Sequence, residues 1–266
     1  MNNAPTFFMQ NLIELKKFIR HLASLSQKEI LKYFRTEISI DTKADNSPVT
    51  IADKNAEEII RKEIETEFPS HGIIGEEFGE VNKDAEYKWV IDPIDGTKSF
   101  ICGSVLFGTQ IALLKNGYPI LGAVNFPALN EFIIGDNKST QLNDKDVKVR
   151  KCNSIPNAVL LTGDYLNIEE YQNISAFNAL IKSVKLFRGW GDCYGYYLLT
   201  SGYADIMVDP IMSPWDSLPL IPIIKGAGGV VTDYQGNDAV KGNSIVASNQ
   251  AIHSEVIKLL NINSVQ

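Results

Sequence analysis

The stretch Trp89-Val90-Ile91-Asp92-Pro93-Ile94-Asp95-Gly96-Thr97 is the most informative part of this sequence of 266 residues. An apolar strand ends here on one carboxylate, Asp92, and a second carboxylate, Asp95, follows shortly after. Pro93 has a fixed φ, so it can turn the chain and let both aspartates point to one spot instead of to opposite faces of a strand. Gly96 removes a side chain where a ligand would approach the backbone.

Two interpretations of this Asp-x-x-Asp pattern compete. An isolated pattern of this kind is more often a β-turn with two solvated aspartates. Here the preceding strand is so apolar that Asp92 should be partly buried, and a buried carboxylate needs a cation or hydrogen-bond donors. The amides of Gly96 and Thr97 would open a following turn or helix, where they could donate to phosphate oxygens. The context therefore favours a binding site.

Three further acidic elements are ambiguous when each is taken alone. Gly75-Glu76-Glu77 follows a short apolar strand, but adjacent glutamates are usually surface residues. Trp215-Asp216 precedes a predicted helix, where an aspartate is a good N-cap. Asp53 follows Thr50 at the start of another predicted helix, with the spacing of a capping box. None of these elements indicates a function by itself.

The bulk composition excludes some classes of protein. The formal net charge is −7 and the sequence pI is about 5.1, which argues against a nucleic-acid-binding surface. The three cysteines include no C-x-x-C pair, which suits a reducing compartment. There is no signal-peptide pattern and no apolar run of about 18 residues. We therefore expect a cytoplasmic protein that binds neither nucleic acid nor membrane.

Hydrophobic periodicity and turn residues predict alternating helices and strands. The predicted helices span residues 8–34, 52–68, 169–183, 192–203, 216–225 and 251–260. The predicted strands span residues 72–75, 88–93, 107–114, 120–126, 131–134, 158–162, 184–188, 204–208 and 244–247. Asn116-Gly117 predicts a hairpin turn. Polarity rises between residues 136 and 157. This predicts an N-terminal subdomain over 1–140, which contains most of the acidic elements described above and so most candidate metal ligands, and a C-terminal subdomain over 141–266.

Together the acidic elements resemble those of the inositol-monophosphatase-like phosphatases. That family carries a G-E-E element, then W-x-x-D-P-x-D-G-T, then W-D before a helix, and A-G-G. This chain has Gly75-Glu76-Glu77, the stretch from Trp89 to Thr97, Trp215-Asp216 and Ala227-Gly228-Gly229 in the same order. The resemblance extends from about residue 47 to residue 249. It implies an α/β (α+β) fold, a layered α-β-α-β-α sandwich of the sugar-phosphatase type, and a homodimer.

The histidinol-phosphate phosphatase branch of this family is closer still. The run Arg188-Gly189-Trp190-Gly191-Asp192-Cys193-Tyr194-Gly195-Tyr196 is similar to that branch's pattern, whereas inositol monophosphatases usually have small residues at Asp192 and Cys193. The segments from Asp45 to Thr50 and from Phe68 to Gly72 are also similar. The resemblance implies hydrolysis of histidinol phosphate, a small phosphorylated metabolite of histidine biosynthesis.

The resemblance assigns a metal site to the acidic residues. Glu76, Asp92 and the Ile94 carbonyl would hold a first ion, and Asp92, Asp95 and Asp216 a second, with two or three ions per site. Oxygen donors without histidine or cysteine are the ligands that Mg²⁺ prefers in proteins. The resemblance also implies that Glu76 is a catalytic residue.

The catalytic and substrate-binding residues are implied in the same way. Thr97 and Asp53 would orient and deprotonate the attacking water, without a covalent phospho-enzyme. The residues expected to contact substrate are Ile94, Asp95, Gly96, Thr97, Arg188, Gly191, Asp192, Cys193, Asp209 and Asp216. Asp192 is the first candidate to bind the amine or imidazole of the substrate, and Asp209 is the second. The alternative for Asp192 is an N-cap of the helix that begins there.

Two other functions stay open on the sequence alone. One is a different substrate, inositol 1-phosphate or a related sugar or nucleotide phosphate. Residues 188–196 argue against inositol phosphate, and the generally greater length of the nucleotide phosphatases and fructose bisphosphatases argues against those. The other is a catalytically silent metal-binding relative, against which the presence of Asp53, Asp95 and Thr97 argues. The aromatic residues of the 188–197 region are predicted to lie mostly in the core: Trp190, Tyr194, Tyr196 and Tyr197.

Overall fold

The computed structural model describes residues 4–42 and 48–262. Its helices are α1 (Ala4–Ile30), α2 (Ile51–Glu67), α3 (Thr97–Ile101), α4 (Tyr165–Tyr171), α5 (Ile174–Ser183), α6 (Asp192–Thr200), α7 (Pro214–Ser217), α8 (Leu220–Gly226) and α9 (His253–Leu260). Its strands are β1 (Ile40–Thr42), β2 (Pro48–Thr50), β3 (Gly72–Gly75), β4 (Gly79–Val81), β5 (Tyr87–Asp95), β6 (Gly108–Lys115), β7 (Tyr118–Phe126), β8 (Glu131–Gly135), β9 (Thr140–Leu142), β10 (Lys145–Asp146), β11 (Val159–Thr162), β12 (Leu186–Arg188), β13 (Ile206–Asp209), β14 (Gly229–Thr232) and β15 (Ile245–Asn249). Residues 45–47, which belong to one of the similar segments, lie outside the described residues.

The larger sheet has the strand order β10-β9-β8-β7-β6-β5-β3-β4. Its neighbouring strands are antiparallel except β3 and β5, which run parallel. Asn116 and Gly117 have φ values of 50° and 80°, and they join β6 to β7 in a tight hairpin, as expected for a turn with two left-handed residues. The hairpin predicted from this dipeptide is therefore confirmed.

The smaller sheet has the order β12-β11-β13-β15-β14. Strands β11, β12 and β13 run parallel, whereas β15 is antiparallel to both of its neighbours. Parallel strands need long crossovers, and here α4 and α5 connect β11 to β12 while α6 connects β12 to β13. The strand–helix alternation predicted for residues 158–208 is thus confirmed.

Apolar cores on both sides of the sheets define five layers. On one face of the larger sheet, Ile19 of α1 and Ile60 of α2 pack with Trp89. Between the two sheets, α6 and α8 contribute Leu199 and Ile223 to a second core. On the outer face of the smaller sheet, α4, α5 and α9 pack in a third. The α-β-α-β-α sandwich expected from the resemblance is confirmed.

The structure corrects several predicted boundaries. Helix α1 ends at Ile30 rather than at residue 34, because the chain turns there and Arg35 has a φ of 60°. The helix predicted over 169–183 is two helices, and the Asn173 side chain caps the second. The helix predicted over 216–225 is also two, with Pro219, which has no amide hydrogen, between them. The short strands β1, β2, β4, β9, β10 and β14 were not predicted, because so few residues carry little periodicity. The turn or helix expected to open at Gly96 and Thr97 is α3.

The change from the larger to the smaller sheet lies close to the predicted subdomain boundary at residue 140, but not at it. Residue 140 is the first residue of β9, and the larger sheet continues to Asp146 before the smaller one begins at Val159. The division into two functional subdomains stays a prediction. Within residues 4–42 and 48–262, no helix has the length and hydrophobicity that a membrane span requires.

Gly122 allows the start of α8 to approach β7 and provides a test of this packing. A Cβ at Gly122 would lie 1.9 Å from the Pro219 carbonyl oxygen, a backbone atom that cannot swing aside. Overpacking costs about 1–3 kcal/mol, so we expect Gly122→Ala to lower the melting temperature by roughly 2–10 °C. Gly189→Ala is the matched control, since its added Cβ would meet no described atom within 4 Å. Equal melting temperatures would contradict the packing.

Candidate active site

An acidic cluster lies where the two sheets face each other. Carboxylate oxygens of Asp92, Asp95 and Asp216, hereafter the acidic cluster, all lie within 4.8 Å of one another. Asp92 and Asp95 stand at the end of β5, whereas Asp216 is on α7, which follows β13 of the smaller sheet. Asp216 Oδ2 accepts a hydrogen bond from the Ser213 amide at 2.8 Å, which fixes its side chain. Distant parts of the chain thus meet in one cluster.

A bulge in β5 turns Asp92 and Asp95 to the same side. Asp92 is opposite Gln110 of β6, whereas Asp95 is opposite Gly108. The bulged strand therefore holds one more residue than its partner over this interval, which shifts the alternation of side chains by one. Pro93 lies inside the bulge, one of the few sheet positions that tolerates proline. The sequence-based expectation that this proline turns the two aspartates together agrees with the geometry.

Glu76 joins the cluster through the parallel pairing of β3 with β5. Gly75 is opposite Ile91, and the Glu76 amide donates to the Ile91 carbonyl oxygen at 3.2 Å. This bond continues the pairing by one residue and brings Glu76 beside Asp92. Burial is the main cause that raises the pKa of Asp92, and the charge of Glu76 raises it further.

The cluster is electrostatically unfavourable without a cation. Asp92 is only 2% exposed, and among the described residues no donor reaches its Oδ1. Burial raises the pKa of Asp95, and the charges of Asp192 and Asp216 raise it further. Burial also raises the pKa of Asp216 to about 7, although the Ser213 amide lowers it. Buried carboxylates that repel one another, with hard oxygen donors and one unpartnered oxygen, fit a divalent cation such as Mg²⁺.

Asp53 has two roles in the structure. Its Oδ2 accepts hydrogen bonds from the Thr50 amide at 2.8 Å and hydroxyl at 2.6 Å, which completes the capping box of α2. Its Oδ1 lies 3.5 Å from Thr97 Oγ1, and this hydroxyl also donates to the Ile94 carbonyl at 2.9 Å. Burial raises the pKa of Asp53, against the lowering effect of Thr50. The predicted capping box is confirmed, and it leaves Asp53 in reach of Thr97.

The start of α6 contacts the acidic cluster through its backbone. The Cys193 amide donates to Asp95 Oδ2 at 2.5 Å. Gly191 is needed here because a Cβ would lie 1.8 Å from the Gly163 Cα. Asp192 lines the cleft beside the cluster with a φ of 52°, which aspartate adopts more readily than most residues. Gly191 is the N-cap and no side chain bonds to the cap, so the alternative role of Asp192 as N-cap is wrong.

Five predicted substrate contacts are not among the residues that line the cleft: Ile94, Asp95, Arg188, Cys193 and Asp209. Asp209 is buried, and its two oxygens accept hydrogen bonds from the Tyr196 hydroxyl at 2.9 Å and the Gly163 amide at 3.2 Å. Arg188 is exposed at the end of β12 and donates to the Phe187 carbonyl at 2.7 Å. The structure does not bring either side chain to the cleft lining. Their contact with substrate stays a prediction.

The aromatic residues near α6 divide into buried and exposed ones. Trp190 is 46% exposed, so its predicted place in the core is wrong. It lies in the loop before α6, and both of its chain neighbours line the cleft, which leaves its ring at the protein surface. Tyr196 is buried as predicted. Tyr194 and Tyr197 are half-buried and stack with ring centroids 5.3 Å apart.

The cleft next to the cluster has a volume of about 380 Å³. Asp164 and Asn167, at the start of α4, also line the cleft. They were not predicted from the sequence, because only the tertiary structure brings this segment to the site. Lys98 also lines the cleft and pairs with Asp164 at 3.4 Å.

Gln110 is a further residue near the acidic cluster that was not predicted, although a buried amide in an apolar strand was a visible signal. It lies opposite Asp92, and its Nε2 donates to the backbone of α7 at 3.2 Å.

Comparison with known proteins identifies the class to which this fold and site belong. The sequence model of the inositol monophosphatase family matches residues 11–264. The chain therefore belongs to this family and is a phosphoric monoester hydrolase.

Individual relatives cover most of the chain. A histidinol-phosphatase of Chlorobaculum parvum is 42% identical over 241 residues, which cover 89% of this chain and 92% of that protein. The chloroplastic bifunctional phosphatase IMPL2 of Arabidopsis thaliana is 42% identical over 253 residues, 90% of this chain and 72% of that protein. A solved inositol monophosphatase from Zymomonas mobilis is 33% identical with a TM-score of 0.82, covering 92% of this chain and 97% of its own. The family resemblance is confirmed.

The raised pKa values predict how stability depends on pH when divalent ions are removed. Burial raises the pKa of Asp216 and of Asp209 from an ordinary 3.8 to about 7. The folded state then binds more protons than the unfolded state, so stability falls as pH rises toward and through about 7. His253, with a pKa lowered to about 4, opposes this only below its ordinary 6.5. We expect the melting temperature in chelator to fall between pH 6.5 and 8, and a rise would contradict the raised pKa values of these two carboxyl groups.

A single charge removal should separate catalysis from folding. Asp95→Asn keeps an oxygen that can accept the Cys193 amide, so the fold should persist while phosphatase turnover falls by about 100-fold. In chelator its melting temperature should hold or rise by roughly 2–4 °C, since it relieves about 1 kcal/mol of repulsion. Asp84→Asn, at an exposed position, is the control and should change neither. A large loss of metal-free stability would instead give Asp95 a structural role.

Proposed function

We propose that the protein is a Mg²⁺-dependent phosphatase that hydrolyses histidinol phosphate to histidinol and phosphate in histidine biosynthesis. This substrate carries a phosphate at one end and an amine and an imidazole at the other. Its site therefore needs cations for the first end and a carboxylate for the second. The observation that carries the proposal is Asp192, which lines the cleft and whose negative charge raises the pKa of Asp95 in the acidic cluster. The 42% identity to a histidinol-phosphatase supports it.

The acidic residues would hold two or three Mg²⁺ ions. Glu76, Asp92 and the Ile94 carbonyl oxygen offer ligands for one ion, and Asp92, Asp95 and Asp216 for another. The buried Oδ1 of Asp92 has no protein donor within the described residues. A bound cation would compensate the charge of this oxygen. When bound, such ions neutralise charge on the phosphate and make a coordinated water more acidic.

The chain's own groups would hold the phosphate and move the proton. Gly96 has a φ of 83°, which turns the chain after β5 so that α3 begins at Thr97. The Gly96 and Thr97 amides can then donate to phosphate oxygens. Thr97 Oγ1 lies 3.5 Å from Asp53 Oδ1, so the proton of the attacking water can pass through Thr97 to Asp53. Burial favours this, because it raises the pKa of Asp53 toward that of a useful base.

Asp192 would recognise the cationic end of the substrate. Its side chain is half-buried, and burial raises its pKa while the charge of Lys98 lowers it and that of Asp164 raises it again. An incoming amine or imidazolium would meet a partly desolvated carboxylate there. A charge-assisted hydrogen bond of this kind is worth roughly 1.5–3 kcal/mol, which corresponds to about 10- to 150-fold in affinity.

Asp192→Asn tests the substrate assignment. We expect KM for histidinol phosphate to rise by about 10- to 150-fold, because the carboxylate charge is lost. Hydrolysis of p-nitrophenyl phosphate should change little, since this substrate has no cationic group and the acidic cluster is intact. Asp84→Asn again serves as the control for a charge change alone. Equal losses on both substrates would mean that Asp192 supports the site structurally.

The same assay distinguishes the remaining alternatives. A higher kcat/KM for inositol 1-phosphate than for histidinol phosphate in the wild-type protein would overturn the substrate. Activity that survives complete chelation of divalent ions would overturn the Mg²⁺ dependence, and no activity on any phosphate ester would indicate a silent relative. We further propose, from the family resemblance, that the protein acts in the cytoplasm as a homodimer of two-subdomain chains.

A further inference from the structure

A buried ion pair stands next to the loop that carries Glu76. Glu57 is fully buried and Arg61 is 8% exposed. Arg61 Nε donates to Glu57 Oε1 at 2.7 Å. Both side chains come from α2 and lie one helical turn apart, on the helix whose first turn contains Asp53. The catalytic machinery described above does not include this pair.

The ion pair binds three successive backbone groups of the β3–β4 loop. The Glu77 amide donates to Glu57 Oε2 at 2.8 Å, and the Phe78 amide donates to Oε1 at 3.2 Å. The Arg61 guanidinium donates to the Gly79 carbonyl oxygen. Gly79 has a φ of 69°, so the chain reverses there into β4. The two side chains therefore fix the path of the loop from its first turn to its end.

Glu76 is consequently held on both sides. On its N-terminal side, its amide donates to the Ile91 carbonyl at 3.2 Å, which ties it to β5. On its C-terminal side, the next two amides are held by Glu57. The ion pair packs directly against Gly75. A Cβ at this position would lie 2.0 Å from Glu57 Oε1 and 2.6 Å from an Arg61 nitrogen. A glycine before the glutamate is thus required by the ion pair.

Stability alone does not account for such a pair. Desolvation of two charges offsets most of their attraction, and apolar residues of similar size often stabilise a fold as well or better. Apolar residues cannot, however, accept two amides and donate to a carbonyl. Hydrogen bonds that orient a metal ligand commonly change metal affinity by about 10- to 100-fold. Here Glu57 and Arg61 bond the backbone of the three residues that follow Glu76.

We infer that Glu57 and Arg61 are positioning residues, which fix the loop so that the Glu76 carboxylate points to the cation site beside Asp92. This inference rests on the proposed function, because it assumes that Glu76 binds Mg²⁺. Neither residue contacts substrate, so their effect should appear in Mg²⁺ binding and not in the KM for the phosphate ester.

Glu57→Gln is the principal test. It removes the charge and places an amide donor where a backbone amide must be accepted, so the loop should lose its fixed path. By isothermal titration with MgCl₂ and no substrate, we expect the Kd for Mg²⁺ to rise by about 10-fold or more. At saturating Mg²⁺, the KM for p-nitrophenyl phosphate should stay at the wild-type value. A folded Glu57→Gln protein with wild-type Mg²⁺ affinity would overturn the inference.

Asp205→Asn is the matched control for removing the charge of a buried carboxylate that is paired with an arginine. Asp205 is buried, accepts from Arg150 Nε at 2.7 Å and accepts the Val159 amide at 2.7 Å. It therefore combines an arginine partner and a backbone amide, as Glu57 does, but in the smaller sheet. We expect this variant to lower the melting temperature and to leave the Kd for Mg²⁺ unchanged. A similar loss of Mg²⁺ affinity in both variants would show only general destabilisation.

Arg61→Lys keeps the test decisive if Glu57→Gln does not fold. Lysine preserves the charge beside Glu57, but a single ammonium cannot match the planar fork that reaches both Glu57 and Gly79. We expect a weaker rise in the Kd for Mg²⁺, about 3- to 10-fold, and an unchanged Kd would overturn the inference. If the wild-type protein itself does not bind Mg²⁺, the proposed function fails instead, so the two failures are distinguishable.

Discussion

Mutual repulsion among buried carboxylates is the constraint on which this structure depends. Asp92, Asp95 and Asp216 have oxygens within 4.8 Å of one another, and burial raises the pKa of each. Such an arrangement is costly in the metal-free protein, because like charges in a desolvated site disfavour ionisation. It persists because a continuous sheet, a bulge and a capped turn hold each backbone segment in place. The same repulsion makes the site a strong attractor for a divalent cation.

Several residues of the site serve the fold and the chemistry together. Asp53 completes the capping box of α2 with one oxygen and reaches Thr97 with the other. Asp216 bonds the Ser213 amide in the same type of motif at α7. In both capping boxes the aspartate is the N3 residue, and its bond to the N-cap amide of Thr50 or Ser213 gives the carboxylate a defined direction. Each aspartate is therefore already oriented before any ligand binds. Structural and functional interpretations of these residues are therefore complementary and not exclusive.

The site is supported from three layers of the sandwich. The larger sheet supplies Glu76 and the β5 aspartates, α2 of the outer layer supplies Asp53 and the Glu57–Arg61 pair, and α6 of the middle layer supplies the Cys193 amide to Asp95. Close backbone approach makes this possible, as at Gly191 against Gly163. Asp192, which we propose to bind the cationic end of the substrate, lies at the same helix start whose Cys193 amide bonds Asp95. The proposed sites for metal binding and for substrate recognition are therefore adjacent.

The sequence by itself determined the β5 motif, because an apolar strand and the spacing of Asp92, Pro93 and Asp95 are local features. The family and the five-layer sandwich followed from the resemblance of such motifs to those of the inositol-monophosphatase-like phosphatases. The sequence also indicated the capping box at Asp53, since caps depend on residues a few positions apart. Only the tertiary structure decided that Trp190 is exposed, that Asp164 lines the cleft, and that Asp209 is bound to Tyr196 and Gly163. Each of these facts depends on contacts between segments far apart in the chain, and no local periodicity encodes them. The helix breaks before α5 and α8 were partly predictable. Asn173 and Pro219 are visible in the sequence, but the structure was needed to show that a helix begins after each of them.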